Sequence, residues 1–457
     1  MSASKTVNVN DLIDSRPVGR FQIEILILCI LVTFVDGFDV QSIAFAAPDI
    51  ISGWKITKGA FTPALLGGVI GTVVGTLGIG PFADVVGKKR IIILSTLLVG
   101  LCSLATGFAH SIETLAVIRF LTGLGIGGAY PNAISLASDY SPGRRQTLMV
   151  VLAVSGNSFG GVVGGMLASE IIPAFGWQGM FLVGGVLPLL LVPVLMWRLA
   201  ESVPFLVATR KGSAAVIALL GRLAPEQRFA ADTDFVLAEH ARGGVPVKHL
   251  FTDGRYKLTL PVWGMWFMNL TGMFFLSAWL PTITKAAGLS LERSELAGSL
   301  LHAGGIMGCI GFGLVVRSVN SCTALSRFYL MGAVSIAVLG QVSAEPLLVL
   351  VAAFVAGFCV IGAQNSSNAV TARLYPNFIG STGMSWAFGV GRMGSVAGPA
   401  IGGLLLSIEL DTPTLFLVAA VPGVLASICA AIVSSQRAAR EADLPVIGGA
   451  LAEGPAE

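Results

Sequence analysis

The chain has 457 residues, of which 54% are hydrophobic and only 12% are charged, and its formal net charge is +3. Soluble globular proteins carry about 25% charged residues, so the composition argues against a soluble enzyme and indicates a protein that crosses the membrane many times. The 57 glycines agree with this, because membrane helices approach one another over small residues. No basic stripe interleaved with aromatic residues suggests nucleic-acid binding.

Apolar runs of about 20 residues, the length that crosses a bilayer as a helix, recur along the chain. They lie at 22–47, 59–82, 91–109, 112–138, 145–172, 177–197, 257–284, 295–316, 323–342, 346–371, 380–407 and 413–434. A long polar interval, 198–256, separates the first six from the last six, and polar tails occupy 1–21 and 435–457. The sequence therefore predicts an all-α membrane protein with twelve transmembrane helices in two halves, 22–197 and 257–434.

The distribution of lysine and arginine predicts which side of the membrane the tails occupy. Short loops on the side of the tails contain Lys88, Lys89, Arg90, Arg144, Arg145, Arg317, Arg327 and Arg373, and the opposite side contains Lys55, Lys58, Lys285 and Arg293. Loops rich in these residues stay in the cytoplasm. Both tails and the central loop are therefore expected to be cytoplasmic, in a multi-pass protein of the cell (inner) membrane. Within the central loop, residues 214–223 are predicted to form an amphipathic helix at the membrane surface.

The first span contains two acidic residues near its middle, Asp36 and Asp39. A charge at the centre of a bilayer costs roughly 2.5–3.5 kcal/mol on insertion scales, so such residues mark candidate functional sites. A spacing of three residues places both on one face of a helix. The pair could merely hydrogen-bond a neighbouring helix, but two acids on one face favour proton or ion handling. The spacing does not decide which of the two carries a proton.

The loop after the second span combines glycines, an acid and a basic cluster. Its notable residues are Gly80, Asp84, Gly87, Lys88, Lys89 and Arg90. The bases alone fit any cytoplasmic loop, but this does not explain the two glycines and the acid. Glycine permits a tight turn, and Asp84 can cap a helix or pair with a base.

Further polar groups lie inside later spans. They are Arg119 in span 4, His302 in span 8, Gln364 and Asn365 in span 10, and Arg392 in span 11. A guanidinium binds a carboxylate through two parallel hydrogen bonds, so we predict that Arg392 binds an anionic substrate with help from the other four. Structural alternatives stay open: Arg119 could reach the membrane interface, His302 could be a packed core residue, and Arg392 could pair with another helix.

Sequence similarity between the two halves indicates an internal repeat. Four glycines of span 5 recur in span 11, each 238 positions later: Gly156, Gly160, Gly164 and Gly165 correspond to Gly394, Gly398, Gly402 and Gly403. In the same way, Asn132 of span 4 parallels Asn368 of span 10. Related six-helix halves in the same orientation are typical of transporters that rock about a site between the halves.

Several of these motifs resemble a known family. The loop at 80–90 resembles the G-x-x-x-D-x-x-G-R/K-R/K pattern of the major facilitator superfamily, with Val85 where a basic residue is usual. Asp-Gly-Phe-Asp at 36–39 and Gly-Arg-Met-Gly at 391–394 are similar, more specifically, to the aromatic acid:proton symporter family. The resemblance covers the chain outside the tails and the middle of the central loop. Ala200 and Val203 depart from the family pattern that follows span 6.

The resemblance implies the major facilitator fold and the proton-driven import of a small aromatic carboxylate, such as a hydroxybenzoate or protocatechuate. We hypothesise that Asp36, Asp39 or both take up the proton. The likeness of the loop at 80–90 to the superfamily pattern implies that this loop takes part in a cytoplasmic gate. In the superfamily, antiporters tend to have proline where this chain has Gly161, so the glycine favours uptake. We expect a monomer whose partners are the substrate, the proton and the bilayer, with no cofactor and no metal.

Other functions remain open. One is an exporter of organic anions or drugs in exchange for protons, and another is a membrane sensor that binds a ligand without transporting it. A sugar symporter would be expected to repeat the loop motif in the second half, where 311–318 lacks the acid. An intramembrane enzyme is disfavoured, because the sequence has no HExxH motif and no cluster of histidines or cysteines. The six cysteines are scattered and are expected to pack rather than to form disulfides.

Overall fold

The computed structural model of the chain describes residues 6–79, 82–208, 213–223, 233–236, 250–252, 254–316, 319–342, 345–372, 374–375, 380–408 and 410–442. The long helices are α2 (Arg20–Gly53), α3 (Thr62–Gly78), α5 (Lys88–Thr106), α6 (Ile112–Asp139), α7 (Gly143–Arg198), α10 (Tyr256–Ala286), α11 (Leu291–Val315), α12 (Ser321–Gln341), α13 (Pro346–Ala372), α14 (Gly380–Ser407) and α15 (Thr412–Ala442). Shorter helices are α1 (Val9–Asp14), α4 (Ala83–Val86), α8 (Val203–Ala208) and α9 (Ser213–Leu223), and β1 (Thr6–Asn8) and β2 (Asp234–Val236) are short strands.

Helix α7 contains two membrane passes. Its helical pattern continues through residue 176, but Gly176 has φ 70° and ψ 174°, a conformation outside the helical range. Glycine adopts positive φ without the steric penalty of a side chain, so the chain reverses there. The two arms correspond to the predicted spans 5 and 6.

The predicted all-α fold of twelve helices in two halves is confirmed. With α7 counted twice, the long helices form six passes before the central loop and six after it. Eight of the described helical ranges are long and apolar enough to cross a membrane by length and composition alone. Helix α2 extends beyond the predicted 22–47 at both ends, and α15 continues past 434. A helix satisfies its own backbone hydrogen bonds in lipid and in water, so hydropathy marks only its apolar part.

The direction of each helix defines two ends of the bundle. Helix α2 starts and α15 ends at one end, which we call the terminal end; the turns at Trp54, Gly107, Gly176 and Gly288 lie at the opposite end, which we call the far end.

The repeated glycines make equivalent close contacts in the two halves. A Cβ on Gly160 of α7 would collide with the backbone oxygen of Phe34 on α2, and a Cβ on Gly398 of α14 would collide with that of Thr271 on α10. Helix α7 therefore lies directly on α2, and α14 lies on α10 in the same way. Small residues allow this approach, which gains van der Waals contact where the lipid offers no hydrophobic driving force.

The last glycine of each repeat faces the other half of the protein. A Cβ on Gly165 would meet Ser299 Oγ on α11, and a Cβ on Gly403 would meet Thr62 Oγ1 on α3. Both contacts lie toward the far end of the bundle. The internal repeat thus produces two equivalent contacts between the halves, α7 with α11 and α14 with α3.

Among the described residues, apolar packing joins the halves at the far end but not at the terminal end. One cluster of buried side chains includes Ile50 and Phe61 from the first half with Trp279 and Ile283 from the second. Toward the terminal end there are two separate clusters, one containing residues of the first half only and one containing residues of the second half only. An ion pair between Asp49 Oδ1 and Lys285 Nζ, 2.7 Å apart, adds to the far-end contact.

Part of the central loop is attached to the first half. The predicted amphipathic helix is present as α9, and Arg222 stacks over the ring of Phe21 with its guanidinium carbon 4.1 Å from the centroid. Strand β2 pairs in parallel with β1 of the N-terminal tail, a contact that hydropathy did not predict. The sequence also predicts a second segment at the membrane surface, 229–241, of which only residues 233–236 are described.

We predict that filling the glycine contact between α2 and α7 destabilises the protein. Gly160→Ala should lower the free energy of unfolding by about 1–3 kcal/mol, the usual cost of overpacking, and should lower the melting temperature in detergent. The matched control is Gly313→Ala on α11, where a Cβ would meet nothing within 4 Å. This variant should leave the melting temperature unchanged. Equal melting temperatures for the two variants would contradict the packing described here.

Candidate functional site

Arg119 and Asp39 form an ion pair inside the first half. Arg119 Nη2 lies 2.7 Å from Asp39 Oδ2, Nη1 lies 3.2 Å from Oδ1, and Nη2 also donates to the Asp39 backbone oxygen at 3.3 Å. Both side chains are almost completely buried, with exposures of 2% and 0%. The ring of Phe181 covers the guanidinium at 5.6 Å. Asp39 is therefore held as a carboxylate that a buried arginine neutralises.

Asp36, one turn earlier on the same helix, has a different environment. It is 2% exposed, but no described residue donates a hydrogen bond to it, and Oδ2 is a buried atom without a partner. The adjacent Gly37 lies against the backbone of Asn157 on α7, which fixes this turn of α2 against its neighbour. The two acids thus share a face of the helix, as predicted, but only one of them has its charge balanced.

Arg392 is a second guanidinium inside the bundle, half-buried in the middle of α14 in the other half. It pairs with none of the described carboxylates, and its guanidinium carbon lies 4.8 Å from the centroid of the Phe388 ring. A cation over an aromatic face is partly stabilised, but the donors of this guanidinium stay available to an anion. The predicted binding of a carboxylate by Arg392 is compatible with this geometry and stays a prediction.

Tyr130 is close to both unbalanced charges. It belongs to α6 and is close enough to interact electrostatically with Asp36 on α2 and with Arg392 on α14. Sequence reasoning did not select Tyr130, although a signal was present. It follows Arg119 by eleven residues, which is three helical turns, so both lie on the same face of α6.

His302 lies at the contact between the halves. It is 4% exposed, and a Cβ added to Gly161 of α7 would come within 2.8 Å of the imidazole ring. Helix α11 therefore approaches α7 through this histidine, and the glycine at 161 leaves room for it. The structure brings His302 to the interface between the halves, and its predicted role in substrate binding is not decided by this position.

The predicted amides of α13 include one that is already bonded. Gln364 Oε1 accepts a hydrogen bond of 2.6 Å from Asn269 Nδ2 on α10, and both side chains are buried. The Asn365 side chain is half-buried and makes no hydrogen bond with the described residues. Of the two, Asn365 thus has the unused polar group. Asn269 was missed because a single amide in an aromatic-rich span gives no pattern.

The basic loop after α3 is anchored within the first half. Lys88 Nζ lies 2.6 Å from Asp139 Oδ2 and 2.7 Å from Ser135 Oγ, at the end of α6. Gly87 has φ 107°, which favours glycine, and Lys89 N donates to Glu201 Oε1 at 3.2 Å. These contacts explain the glycine and the first two bases of the motif.

Other parts of the predicted gating motif are less defined. Gly80 lies outside the described residues, and of Asp84 only the backbone, in α4, is described. Arg90 is exposed in the first turn of α5. The partners Asp139 and Glu201 were not predicted, because each follows a span in an ordinary polar loop.

The described residues contain no group of three or more metal-ligating side chains. The cysteines are all free, and Cys29, Cys102, Cys322 and Cys359 are buried within the bundle.

Comparison with known proteins agrees with the fold and the motifs. The sequence profile described as the Major Facilitator Superfamily matches residues 29–377. The chain is 38% identical over 424 residues to the gallate transporter of Pseudomonas putida, with coverage of 92% of this chain and 94% of the relative. It is 35% identical to the 4-hydroxybenzoate transporter PcaK of Pseudomonas aeruginosa, over 93% of this chain and 96% of the relative.

Among solved structures, a crystal structure of a bacterial homolog to the human lysosomal transporter Spinster, in an inward-facing and occupied conformation, has the same fold. The TM-score is 0.65 with 14% sequence identity, over 92% of this chain and 96% of that chain.

We predict that Asp39 and Arg119 are energetically coupled. Asp39→Asn or Arg119→Gln alone leaves a buried polar group or charge unbalanced and should cost about 3–5 kcal/mol of stability. The double variant should cost clearly less than the sum of the two, measured from melting temperatures in a double-mutant cycle. Glu24→Gln, which removes a half-exposed ion pair with Arg198, is the control and should cost about 0–1 kcal/mol. Additive costs at 39 and 119 would contradict the pairing.

Proposed function

Because the chain belongs to the Major Facilitator Superfamily, among that superfamily's aromatic acid transporters, we propose that it imports a small aromatic carboxylate together with protons. A transport protein of this kind alternates access to a site between its two halves. The observation that carries the proposal is a pair of unbalanced groups on opposite halves, the buried Asp36 and the half-buried Arg392, with Tyr130 close to both. The relatives are named for gallate and for 4-hydroxybenzoate, which makes these two acids the first candidates.

Arg392 binds the carboxylate of the substrate. Its guanidinium offers several N–H donors in one plane, which match the two oxygens of a carboxylate. Without substrate, the cation is stabilised by the Phe388 ring but by no described acid. Asn365 adds an amide that is free for a ring hydroxyl, whereas Gln364 holds Asn269 in place. Arg119 serves mainly to balance Asp39 in this arrangement, and His302 closes the site against Gly161.

Asp36 is the better candidate for the proton. A buried carboxyl without a partner is stable only as the neutral acid, because desolvation of its charge is not compensated. The charge of Asp39, in contrast, is already balanced by Arg119, so no proton is needed to neutralise it.

Coupling follows from charge balance. When Asp36 is ionised and no substrate is bound to Arg392, closing the site off from water has a high desolvation cost. If only one of the two charges is neutralised, the other is still buried without a partner. When a proton binds Asp36 and a carboxylate binds Arg392, both charges are neutralised and the closed intermediate becomes accessible. The cost of burying charge therefore links the two ligands.

The positive loops at the terminal end place that end in the cytoplasm under the proposed orientation. The far-end contacts then close the external side. In the same scheme, the loop at 80–90 acts at the cytoplasmic gate, since Lys88 and Lys89 link α5 to the ends of α6 and α7. One chain contains both halves, so a monomer is sufficient.

We predict that an inward proton gradient drives accumulation of gallate or 4-hydroxybenzoate in proteoliposomes that contain the purified protein. Radiolabelled substrate should accumulate above equilibrium when the outside is acidic, and a protonophore should abolish this. Accumulation that is unchanged by the protonophore would exclude proton coupling. Efflux that is driven by an opposite proton gradient, without import, would instead favour an exporter.

We predict separable defects for the two charged residues. Arg392→Lys keeps the charge but loses the planar donor pair, so the KM for the substrate should rise at least about tenfold, equivalent to about 1.4 kcal/mol, with proton dependence retained. Asp36→Asn should abolish gradient-driven accumulation while substrate binding in detergent persists. Met393→Leu, next to Arg392 but exposed, is the matched control. If Asp36→Asn accumulates substrate as the wild type does, Asp36 is not the coupling residue.

A further inference from the structure

A third buried acid, Glu295, lies away from the central site. It belongs to the second turn of α11, near the far end of the bundle, and its exposure is 0%. Neither carboxylate oxygen has a hydrogen-bond partner in the described part of the chain. No motif in the sequence marked this residue, and the proposed transport mechanism does not use it.

The position of Glu295 is the contact between the halves. A Cβ added to Gly165 of α7 would lie 3.0 Å from the Glu295 backbone oxygen and would collide with Ser299 Oγ, one turn further along α11. Ser299 Oγ is itself a buried atom without a partner. Phe45 of α2 fills the same contact, at 3.0 Å from the same Cβ position. The backbone of Glu295 therefore lies where α7, α2 and α11 meet, and its carboxyl is buried beside this contact, within the influence of Asp49 and Lys285.

Charged groups around Glu295 do not neutralise it. Asp49 of α2 and Glu292 of its own helix act against its ionised form, and Lys285 of α10 acts for it. Lys285, however, is already bonded to Asp49 at 2.7 Å. The surrounding charge thus offers no net compensation, and an ionised carboxylate enclosed here would bear the desolvation penalty alone.

Opening the far end would change this environment. Separation of α7 from α11 would admit external water to the carboxyl, and water stabilises the ionised form. The closed and open arrangements therefore differ in their affinity for a proton at this one group, and by linkage a proton at this group favours the closed arrangement.

We propose that Glu295 is a proton-binding residue of the far-end contact. Its carboxylate takes a proton from the external water as the two halves close at that end, and the carboxyl returns the proton to the same water when they separate. This proton is not carried across the membrane, in contrast to the one on Asp36. Protonation of Glu295 sets how readily the external side closes.

The consequence is a pH-dependent external gate. Acidic external water favours the protonated carboxyl and the closed gate; as the external pH rises, the proton is lost and the open gate gains population. One linked proton changes the ratio of open to closed by at most about tenfold per pH unit.

Accessibility of residue 62 tests this inference. Thr62 Oγ1 is buried against Gly403 of the other half, so a cysteine in Thr62→Cys is shielded when the far end is closed. Cells that contain this variant are treated from outside with a membrane-impermeant maleimide at external pH 5.5 to 8.5, without substrate, and the parent chain gives the background from native cysteines. The pH values are chosen for the experiment and span about three tenfold steps.

Because the thiolate is the reacting form of cysteine, each rate is divided by the rate at the same pH for His110→Cys, at an exposed residue of the far end. We expect this normalised labelling rate of Thr62→Cys to rise several-fold with external pH. Adding Glu295→Gln should make it low at every pH, because the neutral amide mimics the protonated acid. Adding Glu292→Gln, an exposed acid on the same helix, should leave the rise intact. A normalised labelling rate independent of pH in Thr62→Cys, or a rise that survives Glu295→Gln, overturns the inference.

A variant that does not reach the membrane does not block the test. Thr62→Cys with Glu295 intact already decides whether the gate responds to pH. Glu295→Asp retains a carboxyl and should therefore retain the response. Loss of the response in Glu295→Asp also overturns the inference. The inference rests on the proposed alternating access and orientation but not on the substrate. Because the labelling needs no substrate, failure to transport an aromatic acid and failure of the gate give different results.

Discussion

A charge without a partner is costly inside a membrane bundle, and the arrangement of polar groups in this protein follows from how each charge inside the bundle is neutralised. Asp39 and Arg119 neutralise each other within the first half, so that charge pair can stay buried in every state. Asp36, Arg392 and Glu295 have no such partner among the described residues. Charges of this kind are costly to enclose unless a ligand or a proton neutralises them, and in the proposed mechanism the access of water to each of the three changes during transport.

The glycine repeats provide the mechanical counterpart of these charges. The first members of each repeat hold α7 on α2 and α14 on α10, inside one half, so each half can move as a body. The last members, Gly165 and Gly403, face the other half instead and form two equivalent contacts at the far end. One sequence pattern therefore builds both the rigid halves and the contact between them. Packed contacts of this kind are bistable rather than continuously deformable, as alternating access requires.

Much of the fold could be predicted from the sequence, because hydropathy and the glycine period depend only on local composition. The twelve passes, the two halves and the burial of Asp36 and Asp39 follow from it directly. The difference between Asp36 and Asp39 cannot be predicted in this way, because it depends on Arg119. Arg119 is eighty residues from Asp39 in the sequence, and only the folded helices bring these two side chains together. Glu295 was missed for a related reason: it lies at the start of a span, where an acid is ordinary by hydropathy. Only packing against α7 and α2 makes its burial unusual.

The most direct test of proton–substrate coupling is a simultaneous measurement of both fluxes. Gallate or 4-hydroxybenzoate is added to weakly buffered proteoliposomes without an imposed gradient, and the external pH is recorded as radiolabelled substrate enters. We predict that substrate entry makes the outside more alkaline, in fixed proportion to the substrate taken up, and that Asp36→Asn removes the pH change while it still allows labelled substrate to exchange across the membrane. Substrate entry into wild-type vesicles with no accompanying proton movement would contradict the proposed coupling.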